Sequence, residues 1–448
     1  MASHRPSCHI PLRPDECAAA SPTEADWAQV LAALPPEVEA AGALQRRRQV
    51  RSEATLLRLV LLYSWRDWSL RLVAAWAAAS GWADLSDVAL LHRLQGARAY
   101  LSTLVTACVV SQRTLALAHP VRLRLVDATT ISRPGSTGTD WRVHLSFDVE
   151  QWAIDGLELT DVHGGETLVR HPAQPGDIQV ADRGYGHRRG VGQVLSQGGA
   201  LVVRINVTNL PLQDPEGIPL DLGAWLRQIP PGGPTERAVQ VVTPSGTFPL
   251  RLIAGRLSEV AAEAARRRLR REARKKGRTP NQRSLEAAGW ITLVSNLDPA
   301  IWSAAQLLDL YRLRWQVELV FKRLKGLLHL DHLRARGTAL AQVYLLGKLV
   351  GALLLTRLRP PEVSPAGAWF LQVARPLSAW RWEQWGWDAL CQAVQGPLSL
   401  AARQAALPRL ARYLCDHPRR RRAQGAPARR AFAPPDLASH LLFSSVTA

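Results

Sequence analysis

The sequence predicts an α/β protein: a mixed sheet flanked by helices, with a β-rich insertion, an N-terminal helical domain and a C-terminal helical region. Three observations predict it. From Glu24 to about Ala118, Leu, Val and Ala recur at three- and four-residue steps, the period of a helix. At Val121 the period drops to two, and strand-like runs follow at 121–126, 143–149, 157–162, 178–181 and 200–205, with a helical pattern at 187–196. Strands clustered ahead of helices suit a mixed sheet between helical layers.

Composition narrows the partner. The chain has 448 residues, 47% hydrophobic and 21% charged, a globular balance with room for two or three domains. Its formal net charge is +19 and its pI is about 10.9, which suits a polyanionic partner. Nucleic acid fits better than a membrane. The longest apolar run, 339–358, carries Lys348 near its middle and reads as a buried core helix, because a charge at mid-bilayer costs about 3 kcal/mol. The opening MASHRPSCHIPLRPDEC has no apolar stretch, and the five cysteines (Cys8, Cys17, Cys108, Cys391, Cys415) form no CxxC pair. A cytoplasmic protein without a zinc site or disulfide framework is expected. His4, Cys8, His9 and Cys17 have metal-binding side chains but read as part of a floppy terminus.

Along the chain, 1–22 reads as a disordered lead-in and 23–119 as a helical DNA-binding domain. Within it, 72–79 and 86–94 form two helical patterns around Gly81, with Ser86 a suitable N-cap. A helix-turn-helix and any all-helical packing domain share that pattern. Residues 120–206 carry the first part of the sheet, and 207–290 hold Pro/Gly-rich turns, short strands at 238–242 and 248–253, and a basic helix. From 266 to 278 there are nine basic residues and one acid, Glu272, a sign imbalance that suits phosphate contact. Arg266, Arg267, Arg270 and Arg271 lead that set. Residues 291–358 return to a strand (291–295) and one long helix (304–328); 359–415 is a C-terminal helical region and 416–448 a basic tail with arginines at 419–422 and 429–430.

The most informative segment lies on the long helix: Tyr311-Arg-Leu-Arg-Trp-Gln-Val-Glu-Leu-Val-Phe-Lys-Arg-Leu-Lys325. At about 100° per residue, Tyr311, Arg314, Glu318, Lys322 and Lys325 fall within a stripe about 80° wide. Leu313, Val317, Val320, Leu324 and Leu327 fall on the opposite side. A surface helix with a Glu318–Lys322 pair would also show mixed charge. It would not set one acid among so many bases, nor put two further acids at strand ends. Asp127 follows the strand 121–126, and Asp182, in Asp-Arg-Gly-Tyr, follows 178–181. An acid among cations suits a metal ion whose other ligands are phosphate oxygens.

These three blocks resemble the DDE transposases of bacterial insertion sequences, specifically the insertion-sequence-four family with its Y-x2-R-x3-E-x6-K helix. Tyr311, Arg314, Glu318 and Lys325 match that spacing, and Asp127-Ala-Thr and Asp182-Arg-Gly-Tyr match the two acidic blocks. The stretch 133–144 is also similar, and the likeness in character covers roughly 50–360. Asp182 and Glu318 lie 136 residues apart (318 − 182), more than an uninterrupted RNase H-like core holds; the family places a β-rich insertion there.

The resemblance implies an RNase H-like core in which Asp127, Asp182 and Glu318 are catalytic and hold two Mg²⁺ or Mn²⁺ ions, Asp127 bridging them. It implies in-line attack on phosphodiesters: cleavage at transposon ends, a hairpin intermediate, and strand transfer into target DNA. Tyr311, Arg314, Lys322, Lys325 and Arg183 would contact DNA, and a homodimer would form the synaptic complex. Trp290 stands where the family keeps its flipped-base tryptophan, although any of the chain's 16 tryptophans can equally be core. Two other readings use the same residues: a DNA-binding protein that does not cut, and a nuclease without strand transfer.

Overall fold

A computed structural model gives the structure and describes residues 24–35, 44, 47–116, 121–205, 209–275, 277–358 and 378–414. The expected lead-in and basic tail lie outside the described residues, as do His4, Cys8, His9, Cys17 and Cys415. Five helices come first: α1 (Glu24–Ala32), α2 (Glu53–Trp65), α3 (Leu70–Ala79), α4 (Asp87–Gly96) and α5 (Arg98–Ala116). Ser52, Ser69 and Ser86 start α2, α3 and α4, each side chain accepting from the backbone N–H three residues on. α2 is buried from Leu56 to Trp65, as an all-round apolar helix must be.

The sheet has eight strands in the order β3-β2-β1-β4-β5-β8-β7-β6. The first five are β1 (Arg122–Ile131), β2 (Trp141–Asp148), β3 (Ala153–Asp161), β4 (Asp177–Ala181) and β5 (Ala200–Arg204), with α6 (Arg188–Ser196) crossing from β4 to β5. β1, β4 and β5 run parallel, while β2 runs antiparallel to both β1 and β3. A 3-2-1-4-5 order with the second strand reversed is the mixed sheet the sequence pattern predicts, in the RNase H-like arrangement that the resemblance implies. Successive residues of each strand feed opposite faces. Leu125, Val180, Val202 and Leu293 join the larger core with the helices, and Val126, Ala181, Val203 and Val294 join a smaller one with α6.

Residues 207–290 supply α7 (Leu222–Gln228), β6 (Thr235–Thr243), β7 (Gly246–Arg256), α8 (Glu259–Lys275) and α9 (Gln282–Ala287). Their hairpin does not stand apart. β7 pairs with β8 (Trp290–Ser295), which pairs antiparallel with β5, so the hairpin lengthens the same sheet.

Two expectations need correction. Asp127 does not end its strand: β1 continues to Ile131, because β2 returns antiparallel and keeps the ladder paired to Trp141. The single helix expected over 304–328 is two, α10 (Ala304–Arg312) and α11 (Trp315–Leu328). At the junction Arg314 N bonds Tyr311 O, Gln316 N bonds Leu313 O, and Val317 N bonds Arg314 O. With Leu313 N to Leu310 O, these i to i−3 bonds replace the α-helical pattern and tighten the turn.

The remaining described helices are α12 (Thr338–Arg357), α13 (Ala379–Gln395) and α14 (Leu400–Leu414). α12 is long and apolar enough to cross a membrane, yet 78% of its most apolar window is buried inside the molecule. Lys348 is 0% exposed; its Nζ donates to Leu328 O at 2.5 Å and pairs with Asp67 at 3.1 Å. Those partners make burial of the ammonium tolerable, and α12 is the core helix expected.

Candidate active site

Three elements bring the sequence-predicted acids to one edge of the sheet. β1 and β4 pair with Val126 beside Ala181, and β4 and β5 with Ala181 beside Val203. One residue further on, register alone sets Asp127, Asp182 and Arg204 side by side. There β4 stops: Asp182 begins a single 3₁₀ turn over Arg183–Tyr185, which opens the edge next to Asp127. Asp127 lies on the Leu125 face of β1, where α11 packs.

The α10–α11 junction reaches all three acids. The Tyr311 hydroxyl donates to Asp182 Oδ1 at 3.0 Å. The Arg314 guanidinium donates from Nη1 to Asp127 Oδ2 at 3.3 Å and from Nη2 to Glu318 Oε1 at 2.5 Å. The tightened turn rotates Tyr311 inward, so it is buried rather than part of an exposed stripe. Glu318 and Arg314 stay half-buried, Lys325 is half-buried, and Lys322 is exposed. On the far side Val317, Val320, Leu324 and Leu327 are buried as expected, and Leu313 is half-buried.

Electrostatics separate the two aspartates. Burial pushes Asp127 up to about 6; the Ala128 N–H and Arg314 oppose this, while Glu166 and Asp182 add to it. Burial also pushes Asp182 up, but the Arg183 N–H, Arg314, the Tyr311 hydroxyl and Arg204 together hold it below its ordinary value. Burial, then the Asp182 charge, drives Tyr311 well above the ordinary phenol value, so it remains a hydrogen-bond donor. Arg204, which sequence reasoning missed, is a base at the end of a strand; only the pairing register shows which acid it faces.

The donors are hard oxygens on three separate elements, the set that Mg²⁺ or Mn²⁺ takes. Among the described residues no three His, Cys, Asp or Glu side chains are grouped closely enough to hold a metal ion as they stand. The Arg314 guanidinium stands between Asp127 and Glu318 and pairs with one oxygen of each. Tyr185, three residues after Asp182, is fully buried in the smaller core, and its hydroxyl has no hydrogen-bond partner.

The other named residues are spread along the same side. Arg183 is exposed on the turn after Asp182. Trp290 opens β8, which runs antiparallel to β5, so it stands at the same sheet edge as Asp182. Its ring is half-buried, with Arg256 Cζ 4.7 Å from the centroid, in a cleft also lined by Leu226, Arg227, Arg266 and Ala287. On α8 only Ala262 is buried. Arg266 pairs with Glu259 at 2.9 Å and Arg270 with Glu263 at 3.2 Å, so acids upstream of the basic run take up two of the expected phosphate contacts. Arg267 and Arg271 are exposed.

Comparison with known proteins bears on the same segment. The family described as transposase DDE domain matches residues 119–355. The transposase for insertion sequence element IS421 of Escherichia coli is 39% identical over 358 residues, covering 75% of this chain and 95% of that protein. The transposase for IS231F of Bacillus thuringiensis subsp. israelensis is 26% identical over 272 residues, covering 53% of this chain and 56% of that one. Among solved structures, the piggyBac transposase synaptic complex with hairpin DNA aligns over 91% of this chain and 89% of its own. That alignment has 9% identity and a TM-score of 0.43, too distant a likeness to weigh. The family match spans Asp127, Asp182 and Glu318, and the chain belongs to the DDE transposases of bacterial insertion sequences.

Proposed function

We propose that this transposase cuts DNA at the ends of its element and joins the freed 3′-OH to target DNA, by a cut-and-paste route through a hairpin. The observation that carries this reading is the junction of α10 and α11, whose Tyr311 and Arg314 side chains bond Asp182, Asp127 and Glu318 at one sheet edge. In the first step a water oxygen bonds to phosphorus and the transposon 3′ oxygen leaves; in joining, that 3′ oxygen attacks a target phosphate and the target 3′ oxygen leaves. Asp127, Asp182 and Glu318 would hold two Mg²⁺ or Mn²⁺ ions, which supply the Lewis acidity for in-line displacement. Tyr311 keeps Asp182 oriented. Arg314 exchanges its carboxylate partners for a DNA phosphate, and Lys322, Lys325 and Arg183 hold neighbouring phosphates. Arg266, Arg267, Arg270 and Arg271 track the duplex further out. Trp290 receives an unstacked base on its exposed side. The helical region at 23–119 recognises the element's ends, and two copies pair those ends in a synaptic homodimer.

Asp127→Asn, Asp182→Asn and Glu318→Gln test the reading. Each is expected to abolish cleavage of a labelled transposon end in Mg²⁺ while gel-shift affinity stays near wild type, because the charge serves the ions and the bases serve the affinity. A variant that still cuts at the wild-type rate identifies a residue that is no ligand.

A further inference from the structure

A fourth carboxylate reaches the same edge from a segment without a motif. Glu166 lies in the connection between β3 and β4, after the Gly164-Gly165 turn. Both sides of it are fixed. Arg142 Nη1 donates to Gly164 O at 2.8 Å and Arg170 Nε to Gly165 O at 3.1 Å. Thr167 caps the single turn at Leu168–Arg170. That turn packs against α6 so closely that a Cβ on Gly190 would lie 3.0 Å from Leu168 N. Glu166 is thereby held with its carboxylate over the turn that follows Asp182, where it leaves no room for a Cβ on Gly184.

The guanidiniums nearest to Glu166 in the chain's fold, Arg142 and Arg170, are engaged elsewhere, on Gly164 O, Gly165 O and Glu158. Asp127 and Glu318 share Arg314, and Asp182 accepts from Tyr311. Among the described residues no hydrogen bond or ion pair reaches the half-buried Glu166 carboxylate. The Tyr185 hydroxyl, on a fully buried ring, also lacks a hydrogen-bond partner, and the charges of Asp127 and Glu166 act on it ahead of those of Arg142 and Arg170. A hydroxyl left unpaired in the interior is costly to keep, whereas the half-buried carboxylate can be reached by water. The Asp127 and Glu166 charges that act most on the hydroxyl favour a cation over an anion there. A hydrated divalent cation satisfies the whole set, since its inner ligands are carboxylates and its waters need oxygen acceptors.

We propose that Glu166 is a fourth carboxylate of the cation site, a positioning residue that, with the Tyr185 hydroxyl, holds a water of the bound Mg²⁺ or Mn²⁺ beside Asp127. The inference rests on the divalent-ion reading given above. Mn²⁺ titrations of the full chain, followed by calorimetry and by the electron-spin signal of free Mn²⁺, test it without any turnover. Wild type is expected to bind saturably and Asp127→Asn to lose most of that binding. Glu166→Gln is expected to weaken Mn²⁺ by about tenfold or more, the usual effect of removing an outer partner of a ligand set. Its melting temperature in EDTA should remain that of wild type. Glu166→Asp should recover part of the loss, and Tyr185→Phe should weaken binding in the same direction; these two carry the test if the glutamine variant fails to fold. Wild-type affinity in Glu166→Gln, with Asp127→Asn impaired, would overturn the role of Glu166 alone. Equal Mn²⁺ binding by wild type and Asp127→Asn would overturn the divalent-ion reading and this inference with it.

Discussion

Asp127 lies beneath Arg314 at a sheet edge with 19% of its side chain exposed, and burial is the first cause of its rise from 3.8 to about 6. A carboxyl whose pKa is higher in the folded chain than in the unfolded chain stabilises the fold when protonated. That contribution is fully present below about pH 3.8 and is lost as pH rises through about 6. The rise, already net of Arg314, corresponds to at most about 3 kcal/mol, less what solvent screening at the open edge removes. In EDTA, Asp127→Asn should therefore melt at a higher temperature than wild type at pH 8, with the gap closing towards pH 4. A variant that melts lower at pH 8 would show the Asp127–Arg314 pair to be net stabilising. Such a gain in stability, together with lost cleavage, would mark Asp127 as a residue the fold tolerates for the sake of chemistry.

The α10–α11 junction and the β7–β8 edge show how much of this was legible in the sequence at the scale of elements. Helix wheel phases place Arg314 and Glu318 together, and they are bonded at 2.5 Å. The same wheel places Tyr311 on an exposed stripe, whereas the tight turn buries it against Asp182. Periodicity reports the face of a regular helix and is silent about a break without Pro or Gly. Asp127 and Asp182 were readable as acids near strand ends. Their adjacency, and that of Arg204, depends on pairing register over separations that no local pattern encodes, and Glu166 arrives from a connection without a motif. Trp290 is the element-scale test. If its ring receives a flipped base, Trp290→Ala should leave the first nick nearly unchanged and slow hairpin formation by about 5- to 150-fold, the worth of one base–aromatic stack. Trp290→Phe should recover part of the loss. Equal loss of nick and hairpin with a lowered melting temperature would assign Trp290 to packing with Arg256 and the smaller core.

Across the whole molecule, +19 of formal charge and a sheet edge bearing acids define two separable tasks: gathering a polyanion and holding cations at one point on it. Binding to transposon-end DNA should fall steeply between low and physiological salt, because each neutralised phosphate releases counterions. Replacing Arg267 and Arg271 with Gln should flatten the salt slope by about one to two released ions, and an unchanged slope would remove α8 from the interface. What separates a transposase site from a nuclease site is the second use of the same carboxylates, on a 3′-OH instead of water. The most direct measurement supplies a labelled, precut transposon end carrying that 3′-OH, together with supercoiled plasmid and Mg²⁺, to wild type and to Asp127→Asn, Asp182→Asn and Glu318→Gln. Wild type is expected to join the labelled end covalently to plasmid, and none of the three variants is expected to give joined product although the end is already cut. Plasmid nicking without joined label, or joining that survives loss of one of these acids, would contradict it.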